Sequence, residues 1–254
     1  MKQIPNIFTL LNLICGCIAI VYTMQNGITI KYDADGAQFI DLSERLWISS
    51  LFIGLAAVVD FLDGFVARLF NASSEMGKQL DSLADVVSFG VAPSMIIYQF
   101  LRMSFASNEG GIDTSILLLA PAFIMAAAGA YRLARFNIDT TQQYGFKGVP
   151  IPAAGLLIAS LPLIYWNSSN ATIVRLVTNE IFLYALILIV SGLMVSKLPL
   201  MALKFKNLSV KDNLSKFILI IFSIVAAVIF KWLAVPIIFI AYIILSLAFK
   251  NKPA

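Results

Sequence analysis

The sequence predicts an all-α protein, a polytopic transmembrane helical bundle, and three observations carry that expectation. Sixty per cent of the residues are hydrophobic and 13% charged, with a mean hydropathy of +0.89, which is not the balance of a soluble globular domain. The apolar runs are helix-length, and alternating strand-length segments are absent, so a helical bundle is favoured over an outer-membrane barrel. Within residues 59–93, four aspartates and an arginine recur at helical spacing in sequence otherwise apolar enough for a bilayer. Ionisable groups in that setting are costly and mark a functional site.

The first apolar run ends at Met24, after a short polar start broken by Pro5 and Asn6. One lysine precedes it and no small-residue cleavage pattern follows, so it reads as a retained helix and not as a leader peptide. Residues 25–46 are polar, acidic and glycine-containing, an exposed loop with room for a short strand or turn. Helix two is expected over 47–70, a polar turn over 71–78, helix three over 79–100, helix four over 116–136, helix five over 150–166 and helix six over 180–196. A basic loop, 197–216, leads to a final pair, 217–230 and 232–249, hinged at Lys231 with Pro236 a turn beyond. The expectation is about eight spans in one integral-membrane domain, 1–254, with a six-helix catalytic core within residues 5–206 and an extra helix pair at 217–249.

Loop charges set the orientation. With the N-terminus inside, Lys2, Lys78, Lys147, Lys197, Lys204, Lys206, Lys211, Lys216, Lys250 and Lys252 fall on the cytoplasmic side. Only Lys31, Arg45, Arg102, Arg175 and Lys231 fall outside, which predicts N-in and C-in. The net charge of +4 is therefore an orientation signal scattered over loops and helix ends, and no basic stripe for nucleic acid is present.

Asp60, Asp63, Gly64, Ala67 and Arg68 share one face of helix two, and Gly77, Asp81 and Asp85 follow at steps of four on helix three. Each aspartate at a helix centre costs about 2.5–3.5 kcal/mol on an insertion scale, so four facing lipid would cost on the order of 10 kcal/mol, comparable to a whole protein's net stability. They must face inward, toward water or cations. The chain has no histidine, which removes the commonest general base and zinc ligand. Cys15 and Cys17, on diverging faces of the first run, read as packing residues. Carboxylate oxygens alone select Mg²⁺, Mn²⁺ or Ca²⁺. Paired metals suit an in-line phosphoryl displacement, Gly64 and Gly77 would admit a phosphate close to the backbone, and Arg68 offers a fork to its oxygens. The residues thus read as metal-dependent chemistry on a diphosphate. An ion-coupled transporter using the aspartates as a relay, or a prenyltransferase holding an isoprenoid diphosphate, stays open on the residues alone.

The full string, Asp60-x2-Asp63-Gly64-x2-Ala67-Arg68-x8-Gly77-x3-Asp81-x3-Asp85, resembles the signature of the CDP-alcohol phosphatidyltransferase family at every fixed position. The resemblance implies two divalent ions, Mg²⁺ or Mn²⁺, held by Asp60, Asp63, Asp81 and Asp85, and a CDP-linked donor whose diphosphate bridges them. It implies Asp85 as the base that deprotonates the acceptor alcohol. It sets Asp60, Gly64, Ala67, Arg68 and Gly77 against the nucleotide and diphosphate, with Thr9 a further candidate. Residues 87–93 (VSFGVAP), 131–137 (YRLARFN) and 146–154 (FKGVPIPAA), with Pro5-Asn6-x2-Thr9-x2-Asn12, are similar to the membrane-spanning phosphatidylserine synthases of that family. That branch implies CDP-diacylglycerol as donor, L-serine as acceptor, surrounding membrane lipid, a homodimer, and a site at the cytoplasmic face of the cell membrane. Arg132 and Arg135, three apart near a cytoplasmic helix end, offer a fork to the serine carboxylate, with Asn137 and Lys147 beside them. A glycerol 3-phosphate or inositol phosphate acceptor would want a more basic pocket. Thr9 and Asn12 either line the nucleotide cleft or pack helix one.

Overall fold

A computed structural model describes residues 4–25, 27–32, 34, 36, 38–69, 74–107, 113–138, 146–201 and 213–249. The protein is mostly helical. In chain order the elements are α1 (Ile4–Gln25), β1 (Ile28–Tyr32), β2 (Gln38–Leu42), α2 (Trp47–Leu69), α3 (Glu75–Asp85), α4 (Ala92–Ala106), α5 (Ile116–Leu119) and α6 (Ile124–Ile138). They continue with β3 (Phe146–Lys147), α7 (Ile151–Asn167), α8 (Ala171–Val177), α9 (Glu180–Val195), β4 (Pro199–Leu200), α10 (Leu214–Phe230) and α11 (Ala234–Ala248). Of the lysines that set the expected orientation, Lys2, Lys204, Lys206, Lys211, Lys250 and Lys252 lie outside the described residues.

Among the described residues, five helical stretches are long and apolar enough to cross a membrane: Pro5–Gln25, Glu44–Val66, Glu75–Ala106, Ile116–Ile138 and Leu214–Ala248. The pair α8 and α9, bent by 61°, makes a sixth if counted as one, and α7 is a shorter apolar helix. Helix three begins four residues earlier than expected because Ser74 caps α3, its Oγ accepting from the Gly77 N–H at 3.0 Å. From there the helix runs unbroken through a π-helical turn, Val86–Val91, into α4. Pro121 breaks the next span into a 3₁₀ turn between α5 and α6.

The π-helical turn is the centre of the bundle. Its Phe89 is fully buried, and two glycines let neighbouring helices reach its backbone. A Cβ at Gly16 of α1 would lie 2.7 Å from the Ser88 Cα, and one at Gly155 of α7 would lie 3.0 Å from the Phe89 Cα. Helices α1, α4, α6 and α7 all pack on this turn.

The expected loop after α1 is an antiparallel hairpin, with Ile28 opposite Leu42 and Tyr32 opposite Gln38. It is pinned to the end of α7 by Asp41. Lys31 Nζ reaches Asp41 Oδ2 at 2.6 Å, the Tyr165 hydroxyl donates to Asp41 Oδ1, and Lys31 sits 5.0 Å from the Trp166 ring centroid. At the other end of the bundle β3 pairs with β4, Phe146 opposite Leu200, so the chain carries two short ladders that an all-α expectation omits. Both ladders satisfy loop backbone groups that have no helix to enter.

The segment following β3 explains its glycine. Gly148 has φ +77°, its N–H donates to the Leu198 carbonyl at 2.9 Å, and the Val149 N–H donates to Leu193 at 3.1 Å, closing the end of α9. A Cβ at Gly148 would stand 2.4 Å from the Met194 carbonyl oxygen. Gly148→Ala is therefore expected to lower stability by about 1–3 kcal/mol, from the left-handed backbone and the clash together. Gly54→Ala, where a Cβ meets nothing within 4 Å, should cost nothing. Thermal unfolding of the two variants in detergent checks the contrast.

Candidate active site

Two helices deliver the acidic residues. Asp60 and Asp63, one turn apart on α2, face Asp81 on α3, and one carboxylate oxygen from each of the three lies within 4.8 Å of the others. Asp63 is 8% exposed and Asp85 6%. Asp85 stands outside this triad, one turn beyond Asp81 at the last residue of α3, where the π-helical turn begins. Three carboxylates so close repel one another unless a cation lies between them, and an all-oxygen donor set suits a hard divalent ion. The residues present therefore fit the metal that the sequence implies.

The first helix supplies hydrogen-bond donors to this acidic group. The Thr9 hydroxyl donates to Asp63 Oδ2 at 2.6 Å, and Asn12 Nδ2 donates to Asp85 Oδ1 at 3.3 Å. Thr9 and Asn12 are three residues apart on one helix face, and both are buried. The sequence left open whether these two pack the helix or serve the cleft. In the structure they are bonded to the two most buried carboxylates of the site.

Of the glycines expected at the nucleotide, Gly64 stands in open space, with no described atom within 4 Å of where a Cβ would be. Gly77 is tight instead, its Cβ position 3.1 Å from Asn6 Oδ1 and 3.1 Å from Ser74 Oγ. The backbones of Ala67 and Arg68 continue α2, and their side chains lie outside the described residues.

The residues expected to bind the acceptor part company. Arg132 is 5% exposed and within electrostatic reach of Asp85. Arg135 turns away: its Nη1 donates to the Val195 carbonyl at 2.8 Å and its Nη2 to Ser196 at 3.0 Å, which closes the C-terminal end of α9. Asn137 donates to Ser82 Oγ at 2.8 Å while its carbonyl accepts from Lys78 Nζ at 3.2 Å, tying α6 to α3. Lys147 lies in β3. Tyr242 of α11, which sequence reasoning did not single out, is buried and within electrostatic reach of Arg132. Nothing in the local pattern around it carries such a signal.

A separate apolar groove of about 620 Å³ lies between α2, α7 and the start of α11, lined by Leu51, Leu55, Val58, Leu163 and Trp232 among others. Its α2 residues are on the face away from Asp60 and Asp63, so the groove is not part of the acidic site.

A bundle of membrane-length helices with a carboxylate cluster and a fourth acid set apart is that of an integral-membrane protein whose acidic group fits a hard cation. A family model described as CDP-alcohol phosphatidyltransferase matches residues 2–198. The chain belongs to the CDP-alcohol phosphatidyltransferase family. It is similar to the CDP-diacylglycerol–serine O-phosphatidyltransferase of Helicobacter pylori (strain ATCC 700392 / 26695), 36% identical over 224 residues, which cover 85% of this chain and 78% of the relative. The enzyme of the same name from Bacillus subtilis (strain 168) is 33% identical over 165 residues, 65% of this chain and 78% of the relative. The archaetidylserine synthase of Methanothermobacter thermautotrophicus is 32% identical over 132 residues, 51% of this chain and 52% of the relative.

A hydrogen bond to a charged group is worth about 1.5–3 kcal/mol, so Thr9→Val should lower turnover about ten- to a hundredfold. Thr9→Ser keeps the hydroxyl and should retain most of the rate. Initial rates of the purified pair at equal protein concentration test whether the Asp63 contact matters.

Proposed function

We propose that this protein transfers the phosphatidyl group of CDP-diacylglycerol to the hydroxyl of L-serine, giving phosphatidylserine and CMP. The observation that carries the reading is the convergence of Asp60, Asp63 and Asp81 into one cluster with Asp85 buried just beyond it. The names of the most similar relatives supply donor and acceptor. Asp60, Asp63, Asp81 and Asp85 would hold two divalent ions, Mg²⁺ or Mn²⁺, which when bound supply charge stabilisation at the diphosphate and the departing nucleotide.

The protein's own residues do the rest. Asp85 takes the proton of the serine hydroxyl, the serine oxygen bonds to the phosphorus that carries the diacylglycerol, and the bond from that phosphorus to the oxygen of CMP breaks. Arg132, a buried cation of α6, is the group assigned to the serine carboxylate. Arg135 and Asn137 hold the ends of α9 and α3 from which that pocket is built. Gly64, in open space, would leave room for the nucleotide, and Asp60, Ala67, Arg68 and Gly77 are assigned to it on the family resemblance.

Eight spans are proposed for the whole chain. The stretch Leu214–Ala248 would be about 52 Å long if straight, far more than the ~30 Å hydrocarbon core. It is instead broken at Lys231, φ 50°, with α10 and α11 packed on each other, which supports a hairpin of two spans. Adding α7, and α8 with α9 as one bent span, brings the number to that expected. The charge distribution supports N-in and C-in with the acidic site at the cytoplasmic face. A homodimer is proposed on the family resemblance alone.

Purified protein with CDP-diacylglycerol, Mg²⁺ or Mn²⁺ and labelled L-serine is expected to yield serine-labelled lipid, and EDTA to abolish it. Label entering lipid only from glycerol 3-phosphate or an inositol phosphate would move the acceptor. Labelling from no acceptor would favour the ion-coupled transporter. Asp85→Asn is expected to reduce turnover at least about 10²- to 10⁴-fold while largely keeping donor binding; loss of binding to the same degree would remove Asp85 from the role of base.

A further inference from the structure

Asn12 is fully buried in the middle of α1, a position where an apolar side chain would cost nothing. Its amide N–H group is directed at Asp85 Oδ1, 3.3 Å away. Its amide oxygen, also buried, has no hydrogen-bond partner among the described residues. A buried acceptor left unpaired is destabilising, and such groups in a folded protein mark a role beyond packing. The side chain is therefore oriented by what it gives to Asp85 and not by its own satisfaction.

The backbone around it is built to keep that contact. Ser88 Oγ donates to the Asn12 carbonyl at 2.9 Å, one turn before Gly16. Gly16 lets the Ser88 backbone approach so closely that a Cβ there would overlap it. Ser88 belongs to the π-helical turn that starts directly after Asp85, and such turns often sit at functional sites. One serine thus grips α1 at residues 12 and 16 and fixes the register in which the Asn12 amide meets the Asp85 carboxylate.

We propose that Asn12 is the positioning residue of the base: by holding Asp85 Oδ1 it directs the second carboxylate oxygen toward the acceptor hydroxyl. This rests on the proposed reaction, in which Asp85 takes the hydroxyl proton. In this role Asn12 acts through Asp85 and not on the substrates directly. Its effect is on the rate of the bond-making step and not on how tightly the substrates bind.

The test uses the full-length protein in detergent, comparing wild type with Asn12→Leu, Asn12→Gln and Ser88→Ala. Steady-state kinetics are measured over both CDP-diacylglycerol and L-serine, with CDP-diacylglycerol binding and thermal unfolding alongside. Asn12→Leu is expected to lower kcat about ten- to a hundredfold, the worth of one hydrogen bond to a charged group. The KM values and the donor affinity should stay within about twofold of wild type, because uniform binding is untouched. Asn12→Gln keeps an amide but carries it one methylene too far, and should recover only part of the rate; Ser88→Ala, which only loosens the register, should lose less than Asn12→Leu. An unchanged kcat in Asn12→Leu overturns the proposal, as does a fall in kcat matched by equal losses in donor affinity and thermal midpoint. If Asn12→Leu does not fold, the same criteria apply to Asn12→Gln. A wild-type protein that transfers the phosphatidyl group to no acceptor would bring down the proposed reaction itself, which is a distinct result from an active wild type with an equally active Asn12 variant.

Discussion

Four carboxylates must be kept inside helices that otherwise belong in hydrocarbon, and most of the architecture answers that requirement. Placed toward lipid they would cost about as much as the fold is worth. Helices α2 and α3 therefore turn them toward each other, where a divalent cation would offset their repulsion, and α1 adds a strip of hydroxyl and amide donors on the third side. Thr9 and Asn12 are polar residues in an apolar helix, and each has a carboxylate as its partner. The cost of burying a polar side chain in α1 is met by a hydrogen bond to a charged acceptor, the stronger kind.

The opposite end of α1 shows the same logic without chemistry. Thr23 lies about 21 Å from Thr9 along the helix, and its hydroxyl donates to Ser49 Oγ at 2.9 Å while its carbonyl accepts from Gln99 Nε2 at 3.1 Å. Arg102 reaches the same glutamine at 3.3 Å, and the β1–β2 hairpin is tied down through Asp41. These contacts tie α1, α2, α4 and the hairpin into one joint. At the acidic end the groups converge on space, as Gly64 and the Asp60–Asp63–Asp81 cluster show. Polar groups bonded across helices mark the scaffold end, and like charges gathered beside open space mark the site.

How much of this was legible in the sequence depended on the range of the interaction. Helices α1, α2, α4, α6, α7 and α9 follow from apolar periodicity, and the aspartate spacing placed Asp60, Asp63 and Asp81 on facing helices because local offsets fix a helix face. Arg135 was different. Its spacing from Arg132 suggested a two-armed grip on one ligand, but its partners are carbonyls about sixty positions away on α9, and no local pattern records them. The π-helical turn was equally hidden. It adds one residue to a turn without changing composition, and its cause is tertiary, the approach of Gly16 and Gly155 to its backbone. The hinge expected at Lys231 between the last two apolar runs is where the backbone turns, with φ 50°.

A site of four like residues must still give them unlike tasks. Ligands to a metal should be alike, equally placed around a common centre, and Asp60, Asp63 and Asp81 meet that condition. A base must keep one oxygen aimed at a proton, so it needs its own neighbour to hold the other: Asp85 has the Asn12 amide, where Asp63 has the Thr9 hydroxyl. Apart from the family resemblance, the sequence offers nothing to tell Asp81 from Asp85, since they sit one turn apart in the same helix. The structure does: Asp85 is where α3 passes into the π-helical turn, and the extra residue in that turn carries Ser88 against α1, beside Asn12. The proposed division of labour among the aspartates would thus rest on a backbone irregularity next to one of them, held in place by glycines on two other helices.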